Sequence, residues 1–331
     1  TDWYQGTADA VRKNLVHLEE DWIEHVLILS GDQLYRMDFR DMMRTHVESG
    51  ADATIAGIPV SRKDASALGI MQVDDSGQVR GFVEKPQTEE AIESVRMEPS
   101  WIDAHGIPSR GRDCLASMGL YIFNKSTMVD LLNSNDHQDF GKEVFPEAIN
   151  SHKVQVHLFD GYWEDIGTIR AFYEANLNLA GSAPPFNIRT PDAPIYSRPR
   201  FLPPTIMGDT KITGSLIADG CRIGQNVTIS NSVIGLRTVV GDNVVIKDSV
   251  VMGADFMDDP SKLAEGVLPL GIGSGTTIQG TILDKNCRIG SNVQIVNKAG
   301  IENQGEDDVL QVRDGISIVI KNGQIEDGFT F

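Results

Sequence analysis

Ile206, Ile223 and Val240 recur every 17 residues, as do Ile212, Ile229 and Ile246, and again Ile217, Ile234 and Val251. After an insertion at Gly253–Leu270 the pattern resumes, from Ile272 to Ile289 and from Ile278 to Ile295. Within one repeat the apolar positions stand five or six apart, and glycine follows Ile223, Val240, Ile272 and Ile289. Three short strands per turn with small corner residues predict a hexapeptide β-helix, each coil stacking its aliphatic side chains on the next. An alternating antiparallel β domain would show period 2 without the 17-residue recurrence. Residues 206–331 are therefore read as this second domain.

The first 180 residues follow a different pattern. Val26-Leu27-Ile28-Leu29 is a continuous apolar run ending in Ser30-Gly31-Asp32, the form of a buried parallel strand and its C-terminal loop. Thr7 to Glu20 carries Val11, Leu15 and Leu18 at helical spacing, with Thr7 as N-cap. A second helix is expected over residues 38–49. Further strands are expected at 53–58, 70–73, 79–83, 118–123 and 154–159, and helices at 126–133, 141–150 and 168–180. Strand-helix alternation predicts an α/β domain over residues 1–180, Rossmann-like, with an open, mostly parallel sheet that binds ligands at the carboxyl ends of its strands. Residues 181–205, opened by Gly181-Ser182-Ala183-Pro184-Pro185 and closed by Pro203-Pro204, read as a linker.

The 331 residues suffice for two cores, and 40% apolar with 23% charged residues is an ordinary globular balance. A net charge of −18 argues against a nucleic-acid partner, and no apolar run reaches membrane-spanning length. Cys114, Cys221 and Cys287 lack metal spacing and read as buried thiols of a reducing compartment.

Four segments carry candidate chemistry. Asp32, at the end of the most apolar strand, is either a turn residue or a carboxylate for Mg²⁺, which takes one or two carboxylates beside substrate phosphates. Asp165, in Gly161-Tyr162-Trp163-Glu164-Asp165-Ile166-Gly167-Thr168, precedes a helix and is either a second such ligand or an acid facing the helix dipole. Lys85, in Glu84-Lys85-Pro86, is a surface lysine or a point charge for phosphate. Trp3-Tyr4-Gln5-Gly6-Thr7 places aromatics and glycine at a helix start, suited to a base packed on backbone or to a hydrophobic staple.

In order along the chain, WYQGTADAV (3–11), LILSGDQLYRMD (27–38), GFVEKP (81–86), SMGLYIF (117–123), DFGKEVFP (139–146), GYWEDIGTIRAFYEANLNL (161–179), CRIGSNVQIVNK (287–298) and DGISIVIKNGQIEDG (314–328) resemble the ADP-glucose pyrophosphorylase family. The resemblance implies a nucleotidyltransferase domain followed by a left-handed parallel β-helix with regulatory and oligomerising roles. It implies a reaction of ATP with glucose 1-phosphate to give ADP-glucose and pyrophosphate, the first committed step of glycogen or starch synthesis. Asp32 and Asp165 would then hold Mg²⁺, and Lys85 would clamp the sugar phosphate. Glu84, Ser117, Tyr121, Asp139, Phe140 and Trp163 would line the glucose pocket, with Tyr4, Gln5, Gly6 and Thr7 beside adenine. Lys298 and Lys321 match lysines that bind 3-phosphoglycerate or phosphate as effectors. A homotetramer or heterotetramer is implied, in cytoplasm or in plastid stroma.

The family's opening strand and glycine-rich loop, with its Arg and Lys, has no counterpart here. The sequence is accordingly expected to be a piece of the enzyme, weak or inactive by itself. Rival readings are a nucleotidyltransferase for another base or sugar, a noncatalytic regulatory subunit, and a β-helix acyltransferase. The last would need a histidine in the coils, yet His17, His25, His46, His105, His137, His152 and His157 all precede residue 160.

Overall fold

The computed structural model describes residues 3–188, 190–191 and 193–331. The chain divides into two compact units, Thr1–Glu164 and Asp165–Phe331.

The first unit is built on strands β1 (His25–Leu29), β2 (Gln33–Tyr35), β3 (Ala53–Val60), β4 (Gly69–Val73), β5 (Val79–Glu84), β6 (Cys114–Asn124) and β7 (Val154–Leu158). Its main sheet has the order β5-β4-β6-β3-β7, and β1 also pairs with β6. Seven consecutive residues of β3 are buried, so both faces of the sheet are covered. Ile55 of β3 joins Met71, Phe123 and Phe145 on one face, while Ile58 joins Ile70, Leu120 and Ile122 on the other. Each such fully buried side chain contributes about 1.5–3 kcal/mol through area removed from water.

The expected strands appear at the expected places, but their directions differ from a mostly parallel sheet. Among the described residues β3–β7 is the parallel ladder, while β1–β6, β3–β6, β4–β5 and β4–β6 are antiparallel. The reason is the length of β6. Its 11 residues pair along one edge with β3 and along the other with β4 at Leu115 and Ala116, then with β1 from Leu120 to Asn124. All three neighbours run against it. β1 is accordingly no buried parallel strand: Leu27 and Leu29 are 38% and 44% exposed.

Helix lengths follow local chemistry. Asp38 caps Phe39–Ser49 by accepting from the Arg40 N–H (2.9 Å), and Gly50 ends it at φ 62°. The expected helix from Thr7 runs as α-helix only to Arg12, followed by a 3₁₀ turn at Leu15–Leu18. Thr7 is the first residue of that helix and Gly6, without a side chain, stands at the N-cap; the Thr7 hydroxyl bonds Asp139 instead. The helix expected from 141 opens as a π turn, Phe140–Val144, before Phe145–Ser151.

The second unit confirms the repeat. Ile212, Ile229, Ile246, Ile278 and Ile295 are successive parallel register partners, and so are Ile217, Ile234, Val251, Leu283 and Val319. The corner glycines are required by the next coil: a Cβ on Gly224 would stand 2.7 Å from the backbone of Gly241, and one on Gly273 2.5 Å from that of Gly290. One column departs from the sequence reading. Ile223 faces Met207, and Ile206 stands opposite Arg222, so the first coil is one residue short of the period. A one-residue slip turns the side chain to the other face of a strand, and Ile206 is left exposed.

Residues 181–205 contain no helix or strand among those described. The helix Ile169–Ala180, capped by Thr168, groups with the second unit. Its Phe172, Tyr173 and Leu177 pack on Val250, Ile282 and Ile316, and the Tyr173 hydroxyl donates to the Asp248 carbonyl. Burial there pushes the phenol up to about 12. The three cysteines are free and buried, and no described helix is long and apolar enough to cross a membrane.

Candidate active site

In the first unit, the end of β5, the middle of β6 and the π turn bring several of the expected residues together. Glu84, last residue of β5, is half-buried, and its Oε2 would lie 2.6 and 2.8 Å from a Cβ placed on Gly69 or Gly141. Those two glycines hold open the space its carboxylate fills. Burial raises its pKa, and the neighbouring Asp139 carboxylate adds to this, against the lowering effect of Lys85 and Lys142. Tyr121 is buried beside the same pair; burial pushes its phenol up to about 12, opposed by a hydrogen bond with Ser117. Ser117 Oγ also accepts from the Gly119 N–H at 3.3 Å.

Asp139 caps the π turn. Its Oδ1 accepts from the N–H groups of Gly141 (2.9 Å) and Lys142 (3.0 Å), and its Oδ2 accepts from the Thr7 hydroxyl (3.3 Å). Thr7 Oγ1 in turn accepts from the Phe140 N–H at 3.1 Å. The helix start is thereby tied to the π turn, and Ala8 N–H donates to the Gln138 carbonyl at 2.8 Å. Gly6 allows the approach, since a Cβ there would meet that carbonyl at 2.3 Å. Gln5 is held by its backbone N–H on Asp9 (2.8 Å), while Tyr4 is exposed and accepts from Asn14 at 3.1 Å. Phe140 is placed differently from a pocket-lining ring. It is 2% exposed and packs with Tyr121, Phe123 and Phe145 in the aromatic core.

Lys85 is exposed in left-handed backbone (φ 49°), with its N–H on the Leu68 carbonyl at 3.0 Å. For a non-glycine residue that conformation costs about 1–2 kcal/mol, and such strain gathers at ligand-binding positions. Its ammonium makes no hydrogen bond or ion pair among the described residues.

Asp32 is exposed in the loop after β1, where Ser30 Oγ donates to its Oδ1 at 2.5 Å. Trp163, first residue of strand β8 (Trp163–Asp165), donates its indole N–H to Gln33 Oε1 at 3.0 Å. Gln33 and Gly119 were not singled out from sequence. Gly119, at φ 69°, leaves room for Ser30 and Gln33, each about 3 Å from where its Cβ would be. A glycine inside an apolar strand was the available signal.

Asp165 opens the second unit, with Oδ1 accepting from the Gly167 N–H at 2.8 Å. Lys298 and Lys321 are exposed there. Among the described residues no three or more His, Cys, Asp or Glu side chains cluster as metal ligands.

A model of the nucleotidyl transferase family matches residues 2–182. A model of the GLGC left-handed parallel β-helix domain matches residues 200–330.

Proposed function

The chain belongs to the nucleotidyl transferase family, with the two-domain architecture of the ADP-glucose pyrophosphorylases, and we propose that it makes ADP-glucose from ATP and glucose 1-phosphate. The observation that carries this reading is the cluster of Glu84, Asp139, Tyr121 and Ser117 beside the strained Lys85, whose ammonium has no partner among the described residues. Carboxylates at a half-buried site accept hydrogen bonds from sugar hydroxyls, while an exposed ammonium next to them meets the sugar's phosphate.

In this reading a phosphate oxygen of glucose 1-phosphate attacks the α-phosphorus of ATP, the bond to the β-phosphate oxygen breaks, and pyrophosphate leaves. No protein nucleophile is required, so the residues act by positioning and by charge. Lys85 holds the attacking phosphate. Glu84 and Asp139 orient the glucose ring, Trp163 is oriented by Gln33 for packing against it, and the Phe140 backbone supports the pocket. Gln5, Gly6 and Thr7 present backbone to the adenine, with Tyr4 at its edge. Asp32 and Asp165 are hard oxygen donors, each with one oxygen outside any hydrogen bond among the described residues, and each is proposed by itself as a ligand for Mg²⁺. When bound, that ion neutralises phosphate charge. Lys298 and Lys321 are proposed as contacts for an anionic effector such as 3-phosphoglycerate or phosphate.

The test is a panel of ATP, UTP, GTP and dTTP with glucose 1-phosphate, mannose 1-phosphate and Mg²⁺, following sugar nucleotide and pyrophosphate. It is run on the purified protein and on a version extended by any residues encoded upstream of Thr1. ADP-glucose as the main product supports the reading. A preference for another base or sugar overturns the substrate, and ligand binding without turnover in both versions favours a noncatalytic subunit. An unchanged activation constant in Lys321→Ala would exclude that lysine as an effector contact.

A further inference from the structure

We propose that the second unit carries a separate site for a small amphipathic anion, lying between one outward row of the β-helix and the insertion at 253–270. Ile206, Arg222, Val239, Gly271, Arg288 and Gln324 follow one another across six coils as outward register positions. Their inward neighbours from Ile223 to Ile325 form the aliphatic column. A solenoid insertion lies on one face, often a binding face. Here Val240 and Ile272 are register partners 32 residues apart, where the steps on either side, Ile223 to Val240 and Ile272 to Ile289, are 17.

The insertion is fastened along this row. Arg288 pairs with Asp258 at 2.5 Å and donates to the Leu268 carbonyl, and Asp258 accepts from the Leu270 N–H at 2.8 Å. Gln324 donates to the Gly266 carbonyl at 2.9 Å and accepts from the Leu268 N–H at 3.2 Å. What remains under it is a cavity of about 260 Å³, floored by Ile206 and Val239 and walled by Pro203, Phe256, Met257 and Leu270.

Charge selects the ligand. Arg222 lines this cavity, and among the described residues its guanidinium makes no hydrogen bond or ion pair. Arg237 also lines it, and the contact made by its guanidinium is one hydrogen bond to the Ala254 carbonyl at 3.1 Å. The carboxylate of the cavity, Asp258, is taken up by Arg288, which holds it below the usual range. Two guanidinium groups therefore face apolar walls without a counter-ion. A guanidinium fork matches carboxylate, sulfonate or phosphate and stacks on flat apolar groups. The volume lies just below the range typical of drug-sized ligands. It suits a compact body of one aromatic ring or a branched chain with one anionic head, and it is too small for a nucleotide. The site lies within the second unit and does not depend on the catalytic reading.

Phenylbutanoate is the probe, with phenylbutanol as its uncharged counterpart, each titrated into the intact protein by calorimetry and by ligand-observed NMR. The acid should bind at least tenfold more tightly than the alcohol. Arg222→Gln should weaken the acid at least fivefold and leave the alcohol unchanged. Val239→Trp, which fills the floor from an exposed position, should abolish binding of both with unchanged thermal unfolding. Equal binding of acid and alcohol, or undiminished binding in either variant, overturns the proposal. Sedimentation of the parent and Val239→Trp proteins gives the remaining outcome: an assembly that dissociates in the variant would make this face a contact between copies and overturn the ligand site.

Discussion

At the scale of single residues, Lys85 separates stability from function. Its left-handed backbone is a local cost, so Lys85→Gly should raise stability by about 1 kcal/mol, measured by denaturant unfolding. Lys85→Ala keeps the strain. Both should raise the KM for glucose 1-phosphate by one to two orders of magnitude, and an unchanged KM would remove Lys85 from the phosphate site. Glu84 supplies a pH test. Its folded pKa is raised, chiefly by burial. Its favourable contribution is therefore complete below the unfolded value of about 4.3 and is lost as pH rises through the folded value. Glu84→Gln should gain stability over the parent on going from pH 4 to pH 7; a difference independent of pH would contradict the shift. The sequence marks Glu84, Lys85 and Asp139 through the order of their motifs. It does not mark Gln33, whose partner Trp163 is 130 residues away, because neither residue has a local pattern that names the other.

At the scale of elements, legibility follows the range of the interactions. The β-helix could be read from spacing because each coil contacts its neighbours, so one period states both the strand and its partner. The sheet of the first unit pairs strands that lie far apart in sequence. Apolar runs located β3, β6 and β7, but no local feature stated that β6 would run against three neighbours. Thr7 shows the same limit: its spacing suits an N-cap, while Asp139 and Phe140 claim its hydroxyl from across the unit. The short helix at Thr7–Arg12 is thus held by contacts with 138–140 more than by its own six residues. Gly6→Ala places a methyl against the Gln138 carbonyl and should cost about 1–3 kcal/mol. It should also weaken ATP binding, whereas Gly31→Ala, where a Cβ meets no atom within 4 Å, should be tolerated sterically. Equal losses in the two variants would argue against a tie between helix and π turn.

At the scale of the molecule, the proline-rich stretch marks a change in sequence character, and the nucleotidyl transferase match ends just inside it. The compact units divide earlier, after Glu164. Trypsin cleaving at the exposed Arg200 should give two fragments on a denaturing gel that still co-elute from a sizing column, because residues 169–180 stay on Val250, Ile282 and Ile316. Adding Tyr173→Asp should let them elute apart. Separation of the nicked parent without denaturant would show that packing to be too weak to define a unit.

The docking of Phe172, Tyr173 and Leu177 also says where this chain can be recombined with its relatives. A crossover in the proline-rich stretch would join a helix from one parent to coils from another, and the surface between them would be mismatched. A crossover at 164/165 carries helix and coils together as one inherited block, with Asp165 travelling in that block.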